Sequence, residues 1–226
     1  MKKTVLALAL ALTACSSTPD PRPLSISEAE RLALVRFSNY TSGIRAFTAS
    51  VPSPGGKLVL DGRVDFVNHV GYAGMRTDGR NDEFSQGLVQ WNPGRMAFAM
   101  NQSTKPVDPV PVVDWQVRNL QERGSELDGA LRLLVNLGSD RPENSQLLLQ
   151  SSARWLRSDK IGDTAVDVFE GPKQKDAAVA RLRYWIDADG KLRRLEAKLG
   201  NSEELAVFDF SASKEQPVQV IPPLRS

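Results

Sequence analysis

The chain has 226 residues, 41% of them apolar and 25% charged, with 29 Lys and Arg against 27 Asp and Glu. That length supports one domain with a sizeable core, or two small ones. The balanced charge, with no block of one sign, argues against a nucleic-acid partner, and a single cysteine excludes an internal disulfide.

Lys2 and Lys3 precede the apolar run Val5 to Leu12, then come Thr13, Ala14 and Cys15. Charge, apolar core and small residues in this order make a secretory signal peptide over residues 1–14. The eight-residue run rises only about 12 Å as a helix, too short to cross a bilayer. Leu12-Thr13-Ala14-Cys15 resembles the lipobox of bacterial lipoproteins. That resemblance implies a diacylglyceryl group on Cys15, cleavage just before it, and anchoring to the outer face of the cell membrane. Without residues 1–14 the charged residues balance at 27 of each sign.

Residues 15–25 include SSTPDPRPLS, Pro- and Ser-rich without an apolar period, and read as a linker. About ten residues of it span at most about 35 Å. A single domain over residues 26–226 follows. Ser27 and Glu30 stand at capping-box spacing, and an amphipathic helix of about four turns runs to Ser42-Gly43.

The period then changes to two. Strands are expected over 44–51, 57–68, 70–76, 83–91 and 95–100, with PSPGG, TDGRND and Asn92-Pro93-Gly94 as turns. In 57–68, Leu58, Leu60, Val64 and Phe66 share one face. Asp61, Arg63 and Asp65 share the other, so the strand is expected to be half buried. Prolines at 106, 109 and 111 make 102–112 irregular. Helices are expected over 126–137, capped by Gly138, and from Pro142 to about Ser151. The last third predicts strands over 153–158, 165–169, 181–187, 191–199, 205–213 and 218–221, with Asp189-Gly190 as a hairpin signal. The sum is an α+β layout: one antiparallel sheet of about eight to ten strands and three helices.

SDKIGDTAVDVFEGP, RLRYWIDADGKLRRLEAKL and FDFSASKEQPVQVIPP, with the order of elements, resemble the LppX/LprG lipoproteins of actinobacteria, relatives in fold of the LolA and LolB lipoprotein carriers. The resemblance implies a strongly curved antiparallel sheet, a half-barrel, with helices packed on its concave face. It also implies an apolar cavity between them that takes acyl chains. Leu58, Leu60, Val64, Phe66, Leu131, Leu134, Tyr184 and Ile186 are the candidates to line that cavity or to form a filled core. Such a cavity binds alkyl chains at roughly 0.8 kcal/mol per buried methylene and needs no cofactor.

The sequence points away from catalysis. His69 is the only histidine, follows Asn68 at a strand end, and reads as a turn residue. No GxSxG, HExxH or CxxC occurs. Asp187-Ala188-Asp189-Gly190 is followed by Lys191, Arg193 and Arg194 and reads as a turn, not a calcium loop. No metal site or cofactor is expected. Trp91, Trp115, Trp155 and Trp185 fit either cavity walls or core packing. Two functions follow as expectations. One is a lipid-anchored protein that binds or shuttles an envelope lipid or acylated ligand. The other is a regulatory lipoprotein that restrains a membrane sensor kinase without lipid cargo.

Overall fold

In a computed structural model the described residues are 20–80, 82, 85–173, 180–200, 202–212 and 216–225. They form one twelve-stranded, wholly antiparallel sheet with three α-helices. In chain order the elements are β1 (Arg22–Pro23), α1 (Ile26–Ser42), β2 (Ile44–Val51), β3 (Leu58–Asp65), β4 (Val70–Thr77), β5 (Gln86–Trp91) and β6 (Arg95–Met100). They continue with β7 (Gln116–Asn119), α2 (Glu126–Val135), α3 (Ser145–Leu149), β8 (Arg154–Ile161), β9 (Thr164–Glu170), β10 (Leu182–Asp187), β11 (Leu192–Ala197) and β12 (Ala206–Ala212). A 3-10 turn, Pro222–Leu224, lies in the C-terminal segment.

The sheet order is β1-β8-β9-β10-β11-β12-β2-β3-β4-β5-β6-β7. Two meanders are joined where β12 pairs with β2, Phe208 opposite Ala49 and Phe210 opposite Phe47. The sheet is open, with β1 and β7 as its edges. No described helix is long and apolar enough to cross a membrane.

Helix α1 is set by its ends. Ser25 caps Glu28 and Glu28 reaches back to the Ser25 N–H, so the capping box begins two residues before the expected Ser27. Both serines satisfy the pattern. Ser25 wins because Glu28, and not the exposed Glu30, meets Arg22 at 2.7 Å. Ala29, Leu32, Ala33 and Val35 turn inward. Asn39 donates to the Leu137 carbonyl at 3.0 Å and ties the helix end to the chain after α2.

The Arg22 guanidinium, outweighing burial, holds the Glu28 carboxyl down at about 2. Its folded pKa lies below the unfolded value, so the contribution to stability is complete above about pH 4.5 and disappears as pH falls towards 2. Glu28→Gln is therefore expected to flatten the acid limb of unfolding between those pH values and leave the slope near neutral pH unchanged. Urea unfolding at a series of pH values checks this.

One face of the sheet packs on α1, α2 and α3. There Phe47, Leu60, Val64, Phe66, Val89, Trp91, Phe169, Ile186, Leu195 and Phe208 meet Leu32, Leu131, Leu134 and Leu148 in one core. The opposite face is not left to water. Residues 101–115 and 216–225 lie across β3 to β6 and bury Val70, Tyr72, Leu88 and Ala97 with Val110, Val218, Ile221 and Leu224. Further along, Val166, Val168 and Trp185 form a smaller cluster.

Several sequence expectations are corrected. The far face of β3 was expected to be wet, yet Arg63 and Asp65 are buried, at 1% and 3% exposure. Asp108 reaches Arg63 at 2.5 Å, and the Tyr72 hydroxyl donates to the Val107 carbonyl at 3.1 Å, so the proline-rich segment is pinned over that face. Residues 218–221 are not a strand. They are held from the side by Gln90, which donates to the Gln219 carbonyl at 3.0 Å and accepts from the Ile221 N–H at 2.8 Å. Helix α2 ends at Asn136, not Gly138, and a Cβ on Gly138 would press on Phe66. Helix α3 starts after Asn144, whose side chain caps it, so Pro142 lies outside. The count of strands rises to twelve because β1 and β7 had no periodic signal.

Candidate functional site

Cys15 and residues 1–14, expected above to be a signal peptide, lie outside the described residues. Arg22 and Pro23, read above as linker, pair with Trp155 and Arg154 of β8.

All eight candidate lining residues fall in the helix-covered core. Leu60, Val64, Phe66, Leu131, Leu134 and Ile186 are fully buried, and Leu58 and Tyr184 are packed against them. Burial pushes the Tyr184 phenol up. Trp91 spans the layer from sheet to helix: its indole N–H donates to the Leu131 carbonyl at 2.9 Å, and its ring stands edge-on to Phe47 at 6.2 Å. None of the eight borders any of the surface grooves described next.

The most apolar of those grooves is on the opposite face. It has a volume of about 510 Å³ and is walled by Val110, Val112, Trp115, Val220, Ile221 and Pro222. Two chain segments build it. Residues 110–115 leave the proline-rich crossing, where the Trp115 indole N–H donates to the Pro111 carbonyl at 3.3 Å. Residues 219–225 are positioned by Gln90 and by Asn92, which donates to the Leu224 carbonyl at 3.2 Å. Val112 is fully exposed at its rim, at 104%. Sequence reading saw the prolines but not that the C-terminal segment would return beside them.

Three tryptophans pack conventionally. Trp91 is in the main core, and the Trp155 and Trp185 indoles donate to Asp167 and Asp159, both at 3.0 Å. Trp115 is the one that reaches a groove. His69 sits in the β3–β4 turn with φ 52°, and its Nδ1 is 2.9 Å from the Val135 carbonyl. That contact fastens the end of α2 to the turn. Asp187 closes the β10–β11 turn by accepting from the Asp189 and Lys191 N–H groups at 3.0 and 2.9 Å. Among the described residues no group of His, Cys, Asp and Glu is arranged to hold a metal ion.

The fold and its grooves define an α+β protein on one open antiparallel sheet, with its apolar surfaces covered by helices on one face and coil on the other. No family model matches the chain, and no curated protein matches it in sequence. Solved structures with a similar trace include a DUF1329 family protein from Desulfovibrio piger, 12% identical over 82% of this chain and 91% of that one, with TM-score 0.33. A conserved uncharacterised protein from Thermus thermophilus is 11% identical over 87% and 96%, with TM-score 0.38. A domain assigned to outer membrane lipoprotein sorting in Vibrio parahaemolyticus is 8% identical over 81% and 91%, with TM-score 0.22. Likenesses of this degree assign neither an activity nor a ligand to this chain.

Proposed function

We propose that this protein is a lipoprotein of the outer face of the cell membrane, held there by a lipid on Cys15, and that its domain binds an envelope lipid or acylated ligand without catalysing a reaction. In this reading the twelve strands form a strongly curved half-barrel of the LppX/LprG type, with the helices in its concave side. The observation that carries the binding claim is the groove between 110–115 and 219–225. It is mostly apolar, open, and walled by Val112, Trp115 and Ile221, with Asp114 and Arg225 also on its lining. Each acyl methylene buried against such side chains contributes roughly 0.8 kcal/mol. The space beside Trp91 is taken up by its indole bridging to Leu131, so the open groove is the better place for a chain to lie.

The test uses the full chain carrying Cys15→Ser, which removes the protein's own lipid. Native mass spectrometry and solvent extraction are expected to recover an acylated species. A preparation without extractable ligand, which also fails to retain added fatty acid, would overturn the reading.

A second reading has one observation in its favour. Ile26 and Leu34 of α1 and Leu147 of α3 are exposed, at 65%, 39% and 64%, on two helices that pack together. Apolar side chains there suit a membrane-protein partner such as a sensor kinase. Cross-linking in membranes distinguishes the readings: a partner lost on Leu147→Asp, with no lipid recovered, supports regulation.

A further inference from the structure

We propose that the pocket formed by Ser42, Ile44, Arg45, Lys191, Arg193 and Ala212 is a binding site for a phosphate group. It has a volume of about 210 Å³ and lies where α1 ends, β2 begins and the β10–β11 turn folds over. It is distinct from the apolar groove and does not depend on the reading of that groove.

Positive charge exceeds negative charge around the pocket. Three cations line the pocket. Arg45 is the most deeply placed, with 5% exposure. Its Nη1 donates to Asn39 Oδ1 at 2.9 Å and its Nη2 to the Leu192 carbonyl at 2.8 Å. Its guanidinium carbon lies 5.4 Å from the centre of the Phe210 ring. Every one of those partners is neutral. A buried cation without an ionic partner is costly, and an arginine offers five N–H donors, of which these bonds use two.

Among the described residues, the carboxylates nearby are already engaged. Asp187 accepts from Arg193 Nε at 2.6 Å and from two backbone N–H groups. Asp189 is 75% exposed and stands 3.9 Å from Lys191 Nζ. Each of the two acids pairs with one of the outer cations, and Asp187 also acts on Arg45, so two carboxylates stand against three cations. Burial, then the neighbouring Arg193, pull the Arg45 guanidinium down to about 10 against the opposing effect of Asp187. An anion in the pocket offsets the repulsion from Arg193 and gives the buried guanidinium a counter-charge.

One feature of the fold works the other way. The end of α1 places the negative end of its dipole here, worth about half a charge. Its last carbonyls are partly answered: Gly43 N–H donates to Tyr40, and the Thr41 and Ser42 hydroxyls donate to Phe37 and Ser38. The unanswered cation outweighs what remains. Phosphate fits better than a single carboxylate because its oxygens can meet the fixed fork of Arg45 and the mobile ammonium of Lys191 together.

The same chemistry comes from a phospholipid headgroup or from a free phosphate, and two arms separate them. Inorganic phosphate is titrated into the full Cys15→Ser chain by calorimetry. The same chain is sedimented with phosphatidylglycerol vesicles and with phosphatidylcholine vesicles. Lys191→Glu is the main variant, since that side chain is half exposed and bonds nothing in the core. Arg45→Gln is the second, with a melting curve to confirm folding. Phosphate is expected to bind, about tenfold more weakly in K191E, and undetectably in R45Q. Binding to phosphatidylglycerol vesicles alone, weakened by K191E, assigns the site to a headgroup. Absence of binding in both arms, or binding that K191E leaves unchanged, overturns the proposal.

Discussion

Trp91→Ala is expected to be the most damaging single substitution in the domain, with a loss of about 3–5 kcal/mol of stability. The indole is wholly buried at the end of β5 and joins four elements. It stands edge-on to Phe47 of β2, donates to the Leu131 carbonyl of α2, and lies over Gly71 of β4. Alanine leaves a large cavity and removes the indole's hydrogen bond to the Leu131 carbonyl. Urea unfolding should show a lower midpoint with an unchanged slope, and the melting temperature should fall by about 2–4 °C for each kcal/mol. Gly71→Ala tests the same contact from the other side. A Cβ there collides with the Trp91 ring, so a loss of about 1–3 kcal/mol is expected from overpacking. Gly71 is needed for this close approach and not for an unusual backbone angle.

Cys15→Ser is expected to move the protein entirely from the membrane to the soluble fraction. Two acyl chains of a dozen or more methylenes, at about 0.8 kcal/mol each, give on the order of 20 kcal/mol of attachment. No polar contact of the domain approaches that. Fractionation with alkaline carbonate washing measures it. A Cys15→Ser protein that stays with the membrane after the wash would show that something other than a lipid on this residue holds it.

Much of the architecture was legible in the sequence. The period of 3.6 in α1 and the alternation in β2 each name their own buried face, because burial on one side writes a repeating pattern. Elements without such a pattern escaped. Strand β1 is two residues long, and the four residues of β7 are all exposed, so neither carries a period. The far face of β3 was misjudged for a different reason. Asp61, Arg63 and Asp65 look like a solvated face, but Arg63 is buried because a segment about forty residues away supplies Asp108. Residues 218–221 alternate like a strand, yet their partner is the Gln90 side chain and not a backbone ladder.

The sites show the same division. The lipobox is local, so its order of residues can be read directly. The eight candidate lining residues were identifiable as apolar and inward-facing, and the structure gathers them in one cluster. The apolar groove and the cationic pocket were not legible. Trp115 meets Ile221, and Arg45 meets Arg193, only after the chain has crossed the sheet. Arg45 shares the buried face of β2 with Phe47 and Ala49, but its neighbours Asn39, Leu192 and Phe210 come from three other parts of the chain.

The claim that the domain binds an acyl chain is tested most directly by titrating a fluorescent fatty acid into the Cys15→Ser chain and its Val112→Asp variant. Val112 is fully exposed, so the substitution leaves the core intact. The account predicts saturable binding that unlabelled acyl chains displace, and about tenfold weaker binding when a carboxylate replaces the groove's apolar rim. No saturable binding, or equal binding by the two proteins, would contradict it.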